Sequence, residues 1–337
     1  MPVRRSMLLC FLCTCLVQSQ MFAQAARPLQ LGSNRELFVD RYLIEKLNNI
    51  TQELHTPVNE GTVLKFDNPW EGNFSGYSTI IKDGTQYKLY YRGIREAGKD
   101  GNSNEVTCYA ESSDGINWTK PSLGIYTIDG TADNNVILAN AAPATHNFSP
   151  FLDKNPNAKA SERYKALGGT DKTGLFGFVS ADGIHWKKIQ DSAVFKTGVF
   201  DSQNVAFWSE SEQQYVCYFR TWSDGGFTQY KGFRSVSRTT SKDFINWAVP
   251  VKMTFGDTPL EHLYTNQTSP YFRAPHIYLS VCARFMPNRQ VLTEEQAKAL
   301  NVNPNYFKDC SDAIFMSTRG GAVYDRTFMQ SFIRPDI

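Results

Sequence analysis

ESSDGINW, residues 111–118, returns as VSADGIHW at 179–186 and, in a worn form, as TTSKDFINW at 239–247. Asp114, Asp182 and Asp243 open three Asp-x-Ile-x-Trp units, spaced 68 and 61 residues apart. STRGGAVYD places Gly320 at the equivalent point 77 residues further on. A feature that recurs at such intervals marks stacked or radial units, each one supersecondary motif.

Within each unit the text is that of β-strands. The first reads YSTIIKDGTQYKLYYRG and EVTCYAESSDGINWTKP, short runs rich in Tyr, Ile, Val and Thr cut by Lys-Asp-Gly and Ser-Asp-Gly turns. The second gives FSPFLDKNP, RYKALGG and GLFGFVSADGIHWKKI, and the third QNVAFWSESEQQYVCYFRTW and FRSVSRTTSKDFINWAVP. SPYFRAPHIYLSVCARF and DAIFMSTRGGAVYDRTF make the fourth. Each unit is predicted as four antiparallel strands, A to D, and four-stranded units repeated around an axis are propeller blades. The expected fold is therefore an all-β, five-bladed β-propeller of four-stranded antiparallel blades, four of them visible and the fifth truncated beyond Ile337. ELFVDRYLIEKL, residues 36–47, is predicted as an extra strand, and LTEEQAKALN as a short helix capped by Thr293.

The repeated Ser-x-Asp-Gly falls in the C–D turn of each blade. There an Asx-type turn fixes the hairpin and the following Trp packs between blades. The repeat is architectural, and Asp114 and Asp182 are read as structural, with Asp83 and Asp153 at turns on the same face.

Composition bounds the rest. The 337 residues are 41% hydrophobic and 13% aromatic, enough for a large core. Arg4 and Arg5, the apolar run Met7–Val17 and Ala23-Gln24-Ala25 read as a secretory signal peptide over 1–25, too short for a membrane span. Residues 26–337 are then the propeller domain, secreted or periplasmic. Without Arg4 and Arg5 the 35 basic residues fall to 33, equal to the 33 acidic ones, which removes a global field for nucleic acid. Cys108, Cys217, Cys282 and Cys310 remain, too few for a disulfide framework; Cys282 and Cys310 are the pair that could bridge. No phosphate loop, His-Glu-x-x-His or Gly-x-Ser-x-Gly elbow is present, and no ligand pattern calls for a metal or cofactor. The oligomeric state is left open.

Strand direction sorts the polar residues. The start of strand A, the end of B and the start of C share one face, at one mouth of the central channel, where a pocket built from several blades is expected. Trp70, Glu71, Asn73 and Arg92 come there from blade one, His146 and Asn147 from blade two. Blade three brings Asp201, Gln203, Asn204, Arg220 and Trp222; blade four brings Glu261, His262, Tyr264, Asn266 and Arg284. Arg92, Arg220 and Arg284 hold the same blade position, where blade two has Gly168-Gly169. Aimed at the channel they would fork onto carboxylate or sulfate groups; turned aside, each would rivet a blade to a neighbouring acid. Asp201 and Glu261 are the best pair for acid/base chemistry across a sugar, with Glu71 a third carboxylate, and salt bridges are their alternative role. Trp70 and Trp222 could stack on sugars or pack between blades.

SSDGINWTKP, SADGIHWKKI, FDSQNVAFW and YTNQTSPYFRAPHIYL, after RELFVDRYLI, together resemble a group of secreted bacterial proteins related to the five-bladed propeller glycosidases of glycoside hydrolase families 32 and 43. The similarity runs from about Arg35 to the end of the chain. It implies a carbohydrate substrate and no cofactor. In those families an Asp on the first inner strand is nucleophile or base, an Asp on the second tunes pKa, and a Glu on the third is the acid. This chain departs from that plan. It has no Trp-x-Asn-Asp-Pro or Ala-Asp-Pro at the first inner strand, no Arg-Asp-Pro at the second, and Asp201 in place of Glu at the third. Asp40 could supply the first carboxylate only if its strand reaches the channel. Sialidases, with Asp-box turns and an arginine triad, are a weaker resemblance. Three functions remain: a glycoside hydrolase acting on an acidic or sulfated polysaccharide, a non-catalytic glycan-binding propeller of the cell envelope, or an interaction scaffold with no sugar ligand, whose channel mouth would lack converging polar groups.

Overall fold

Four sheets of antiparallel strands follow one another along the chain, each beginning at its inner edge and ending at its outer edge. The computed structural model describes residues Leu29–Arg334 apart from Ala97. The propeller belongs to the unit Arg35–Ile337. The signal peptide read over 1–25 lies outside the described residues, and a fifth blade is not among them.

Blade one is β1 (Gly76–Asp83), β2 (Gln86–Gly93), β3 (Val106–Ser112) and β4 (Val136–Leu138). Blade two is β5 (Ser149–Leu152), β6 (Tyr164–Thr170), β7 (Gly174–Ser180) and β8 (Lys187–Lys188). Blade three is β9 (Val205–Ser209), β10 (Gln214–Trp222), β11 (Arg234–Ser241) and β12 (Val251–Lys252). In blade four the inner strand is split into β13 (His262–Leu263) and β14 (Ser269–Tyr271), both paired with the long β15 (Ala274–Met286), followed by β16 (Cys310–Thr318) and β17 (Ser331–Ile333). Middle strands such as β2 and β10 are buried on both faces, β10 between blades two and four and β2 between blade two and the segment 64–70, so their sequences read as nearly continuous apolar runs. Inner β1 instead alternates, with Ile80 and Lys82 exposed to the channel. That channel, about 650 Å³, is lined by β1, β5, β9 and β14.

The repeated turns have one geometry. In blade one, Asp114 Oδ1 accepts the N–H groups of Ile116 (2.8 Å) and Asn117 (2.7 Å), while Ser112 Oγ accepts that of Gly115 (2.9 Å). Asp182 with Ser180, and Asp243 with Ser241, repeat the pattern. Each turn needs a left-handed residue: Gly115 at φ 80°, Gly183 at φ 81°, and Phe244 at φ 66°. Phe244 offsets its strained backbone by complete burial against Phe151, Tyr215 and Trp247. Trp186 lies between Tyr90 of blade one and Phe148 beside blade two, so the repeated indole seals an inter-blade core.

A second device, also repeated, fastens one blade to the next. The carboxylate at the A–B turn of blades one, two and three accepts a tyrosine hydroxyl from strand B of the following blade: Asp83 from Tyr164, Asp153 from Tyr215 (2.7 Å), Glu212 from Tyr278 (3.0 Å). Asp83, Asp114, Asp153 and Asp182 thus all serve the fold.

Residues 36–47, predicted as a strand, form turns and bends instead. Side-chain bonds hold them in place of a ladder: Arg319 at the end of β16 donates to Glu36 and Asp40, and His276 lies 2.8 Å from Glu36. Asp40 is therefore committed to the C–D turn of blade four, away from the channel mouth. Further along, Leu64, Phe66 and Trp70 cover the apolar face of blade one, with Phe66 stacked on Tyr91 at 4.3 Å. The predicted helix is present as α1 (Glu294–Ala299), with Thr293 and Gln296 forming a reciprocal cap. The four cysteines among the described residues are free thiols. Cys310 pairs with Met286, four residues from Cys282 along β15, which separates the two by roughly 13 Å and prevents a bridge. No helix among the described residues is long and apolar enough to cross a membrane.

Candidate active site at the channel mouth

Blade two shapes the site by what it lacks. A side chain at Gly168 would stand 2.7 Å from the Ala144 carbonyl, because the loop before β5 presses onto this strand and the Gly169 N–H bonds to the His146 carbonyl (2.9 Å). The loop occupies the place where the other blades carry an arginine, and it delivers His146 and Asn147. Glu105, buried, takes His146 Nδ1 at 2.8 and 3.0 Å from its two oxygens. With Nδ1 so engaged, Nε2 is the ring nitrogen left for a ligand.

His146 lines a pocket of about 300 Å³, the lower end of the roughly 300–1,000 Å³ found for small-ligand sites, together with Asp100, Asp171, Lys172 and Asp201. Three carboxylates from three blades thus face one space. Asp201 precedes β9 and bonds to Arg220, yet its side chain is 48% exposed. Asp171, in the B–C turn of blade two, accepts the hydroxyl of Tyr230 from the B–C loop of blade three at 2.9 Å. Asp100, in the B–C loop of blade one, is 3.4 Å from Arg92.

Two arginines frame the pocket in the same way. Arg92 bonds Asn147 Oδ1 (3.0 Å) and lies 4.8 Å above the Tyr77 ring; Arg220 bonds the Tyr264 carbonyl (3.3 Å) and lies 4.8 Å above the Tyr264 ring. Tyr77 sits at a bulge at the start of β1 with φ 51°, a left-handed conformation that is costly for a tyrosine. Burial pushes its phenol up to about 12, which keeps it a neutral donor. Gln203 ties the floor together, donating to the Tyr77 carbonyl (3.2 Å) and Thr79 (2.7 Å) and accepting from Gln267 (2.6 Å). Blades one, three and four meet at that side chain.

Of the residues anticipated from sequence, Asp201, Arg92, His146, Asn147, Gln203, Arg220 and Tyr264 come together here. Trp222 lies beside them, against Tyr230 and His262. Others are drawn away. Glu71 is wholly buried against blade one, bonded by the Tyr91 hydroxyl, Lys120 (2.8 Å) and the Asn68 N–H (2.8 Å), and cannot touch a sugar. Trp70 donates to Asn135 (2.8 Å) in the same core. Asn266, also buried, is taken by Thr268 (3.0 Å). Arg284 forks onto Asp312 (2.9 and 2.5 Å) and bonds Glu261 (2.7 Å), which also accepts from Arg326 (2.7 Å). Burial works to raise the Glu261 pKa, but the two guanidiniums outweigh it and hold the carboxyl below its usual range. Arg284 is thus a rivet, and Glu261 is poorly placed to act as an acid.

Sequence reading missed Asp100, Asp171, Tyr77 and Tyr230. The signal for the two aspartates was positional: B–C turns open on the same face as the start of strand A.

No protein-family model and no curated protein matches the chain. Among solved structures it is similar to an N-acetylgalactosamine deacetylase from F. plautii in complex with blood group B trisaccharide, at 13% identity and TM-score 0.48, over 74% of this chain and 67% of that one. A thermostable family-43 glycoside hydrolase aligns at 12% identity and TM-score 0.47, over 81% and 78%. The α-L-arabinofuranosidase of Fusarium graminearum, solved with an iminosugar inhibitor, aligns at 13% identity and TM-score 0.42, over 76% and 66%. What each of those proteins binds or cleaves is a property of that protein.

Proposed function

We propose that the protein is a secreted or periplasmic glycoside hydrolase acting on an oligo- or polysaccharide at the channel mouth. One observation carries the reading: Asp100, Asp171 and Asp201, from three blades, line a single small pocket with His146. Glycosidic cleavage asks for two carboxylates across a sugar ring, and hydroxyl-rich substrates suit a wall of carboxylate, imidazole and phenol groups. Asp201 and Asp171 are the facing pair in this proposal, replacing the pair Asp201 and Glu261. Asp201 is oriented by Arg220 and Asp171 by Tyr230. His146, fixed by Glu105, binds a sugar hydroxyl through Nε2. The signal peptide read over 1–25 supports export.

The test is release of reducing ends from a panel of neutral, uronic and sulfated oligosaccharides. Release by the wild type, and none by Asp171→Asn, supports the assignment. Binding without release would make the propeller a lectin-like module of the envelope.

A further inference from the structure

Arg234, at the start of β11, has a setting unlike the other arginines of this face. Its guanidinium makes no hydrogen bond or ion pair among the described residues. It lies 5.0 Å from the Trp222 ring, 5.1 Å from Tyr264 and 4.9 Å from Phe285, a cation enclosed by aromatic faces. Nearby carboxylates are otherwise engaged: Asp201 by Arg220, and Asp309 by the Asn288 N–H (2.8 Å). The backbone N–H of Arg234 donates to His262 Nδ1 (3.1 Å), which leaves the imidazole Nε2–H as a second donor beside the guanidinium. Burial and the charge of Arg220 both work against the Arg234 cation, and the charges of Asp201 and Asp309 offset them only in part.

We propose that Arg234 receives an oxyanion, a carboxylate or sulfate, carried by the glycan. An anion there would gain the fork that Arg284 spends on Asp312, while Arg220 gives one N–H to Asp201 and another to the Tyr264 carbonyl. The half-open rings of Tyr230 and Phe233, 52% and 39% exposed, stand beside it as platforms for the sugar that bears the charge. The inference deepens the glycan reading and rests on it. It also relocates anion recognition from Arg92, Arg220 and Arg284 to a residue whose guanidinium has no hydrogen-bond or ion-pair partner among the described residues.

Two arms test it on the full chain. In the first, melting temperature is compared in sodium sulfate and sodium chloride at matched ionic strength for the wild type, Arg234→Gln and Arg234→Lys. A sulfate-specific rise in the wild type that is lost in Arg234→Gln and partly kept in Arg234→Lys is expected. General salting-out by sulfate acts on all three alike and cancels. In the second, calorimetric titration compares neutral, uronic and sulfated oligosaccharides. The wild type should prefer one charged class by roughly tenfold or more, the preferred class naming the anion, and Arg234→Gln should abolish the preference without weakening the neutral ligand. A sulfate effect equal in all three proteins, or equal loss of neutral and charged ligands, overturns the proposal. Failure of every glycan to bind, with the sulfate rise still dependent on Arg234, would overturn the glycan reading and leave the anion site standing.

Discussion

Asp201 gives one carboxylate oxygen to Arg220, and half of its side chain remains open at the channel mouth. Arg220 itself is only 2% exposed, so the pair is buried on one side alone. Removing either partner should cost less than the roughly 3–5 kcal/mol of a fully buried pair, because water reaches Asp201. A double-mutant cycle with Asp201→Ala and Arg220→Ala in urea should give a coupling of about 1–2 kcal/mol. Coupling near zero would mean that Arg220 is held by the Tyr264 carbonyl and ring instead.

Glu261 answers to different neighbours. Two guanidiniums favour its ionised form, so loss of the carboxylate charge in Glu261→Gln leaves Arg284 and Arg326 short of a partner. We expect a loss of about 1–3 kcal/mol in stability. The basic limb of the pH–rate profile should not move, since a carboxyl held below its usual range is not the proton donor near neutrality. A shift in that limb on the substitution would return Glu261 to the catalytic pair.

The turn glycines rank by what surrounds them. A methyl group at Gly115 meets nothing closer than the Tyr87 ring at 3.7 Å, so Gly115→Ala should cost only the left-handed backbone term of about 1–2 kcal/mol. At Gly183 the same methyl would stand 2.4 Å from the buried Tyr90 hydroxyl. Gly183→Ala should therefore cost about 2–4 kcal/mol, with overpacking added to the backbone term. Urea midpoints of the two variants decide the order.

Acid should loosen all three repeated turns. Burial of Asp243 opposes its charge, but the N–H groups of Asn246 and Ile245 outweigh it and hold the carboxyl at about 2. Asp182 is lowered against burial by His185 and Ile184, and Asp114 by Asn117 and Ile116. Each folded value lies below the unfolded one near 3.9, so their stabilisation is complete above about pH 5 and is lost as pH falls toward 2. Melting temperature should be level above pH 5 and drop below it, with a shallower drop in Asp243→Asn. An equal slope in that variant would assign acid sensitivity to other carboxylates.

The blades were legible because their signals are local. Ser112, Asp114 and Gly115 bond to one another within four residues, and the alternation of Tyr, Val and Ile with turn residues needs no distant partner. The helix cap at Thr293 is local for the same reason. The extra strand expected over 36–47 was not formed, since Arg319, some 280 residues away, determines how Glu36 and Asp40 are held. The arginines were hard to read on similar grounds. Arg92, Arg220 and Arg284 share a blade position, but whether each faces a ligand depends on Asp100, Asp201 and Asp312, which no spacing rule links to them. Arg234 went unnoticed because its isolation is a property of three aromatic rings from two blades. Asp171 escaped because a B–C turn carries no signature beyond polarity.

The most direct measurement is turnover and binding of the best oligosaccharide by Asp201→Asn beside the wild type, both folded to the same extent by near-ultraviolet circular dichroism. The account predicts that cleavage falls by at least about a hundredfold while affinity stays within a fewfold, since the carboxylate acts on the reacting bond. Cleavage that persists in Asp201→Asn would contradict it and remove the channel mouth as the catalytic centre.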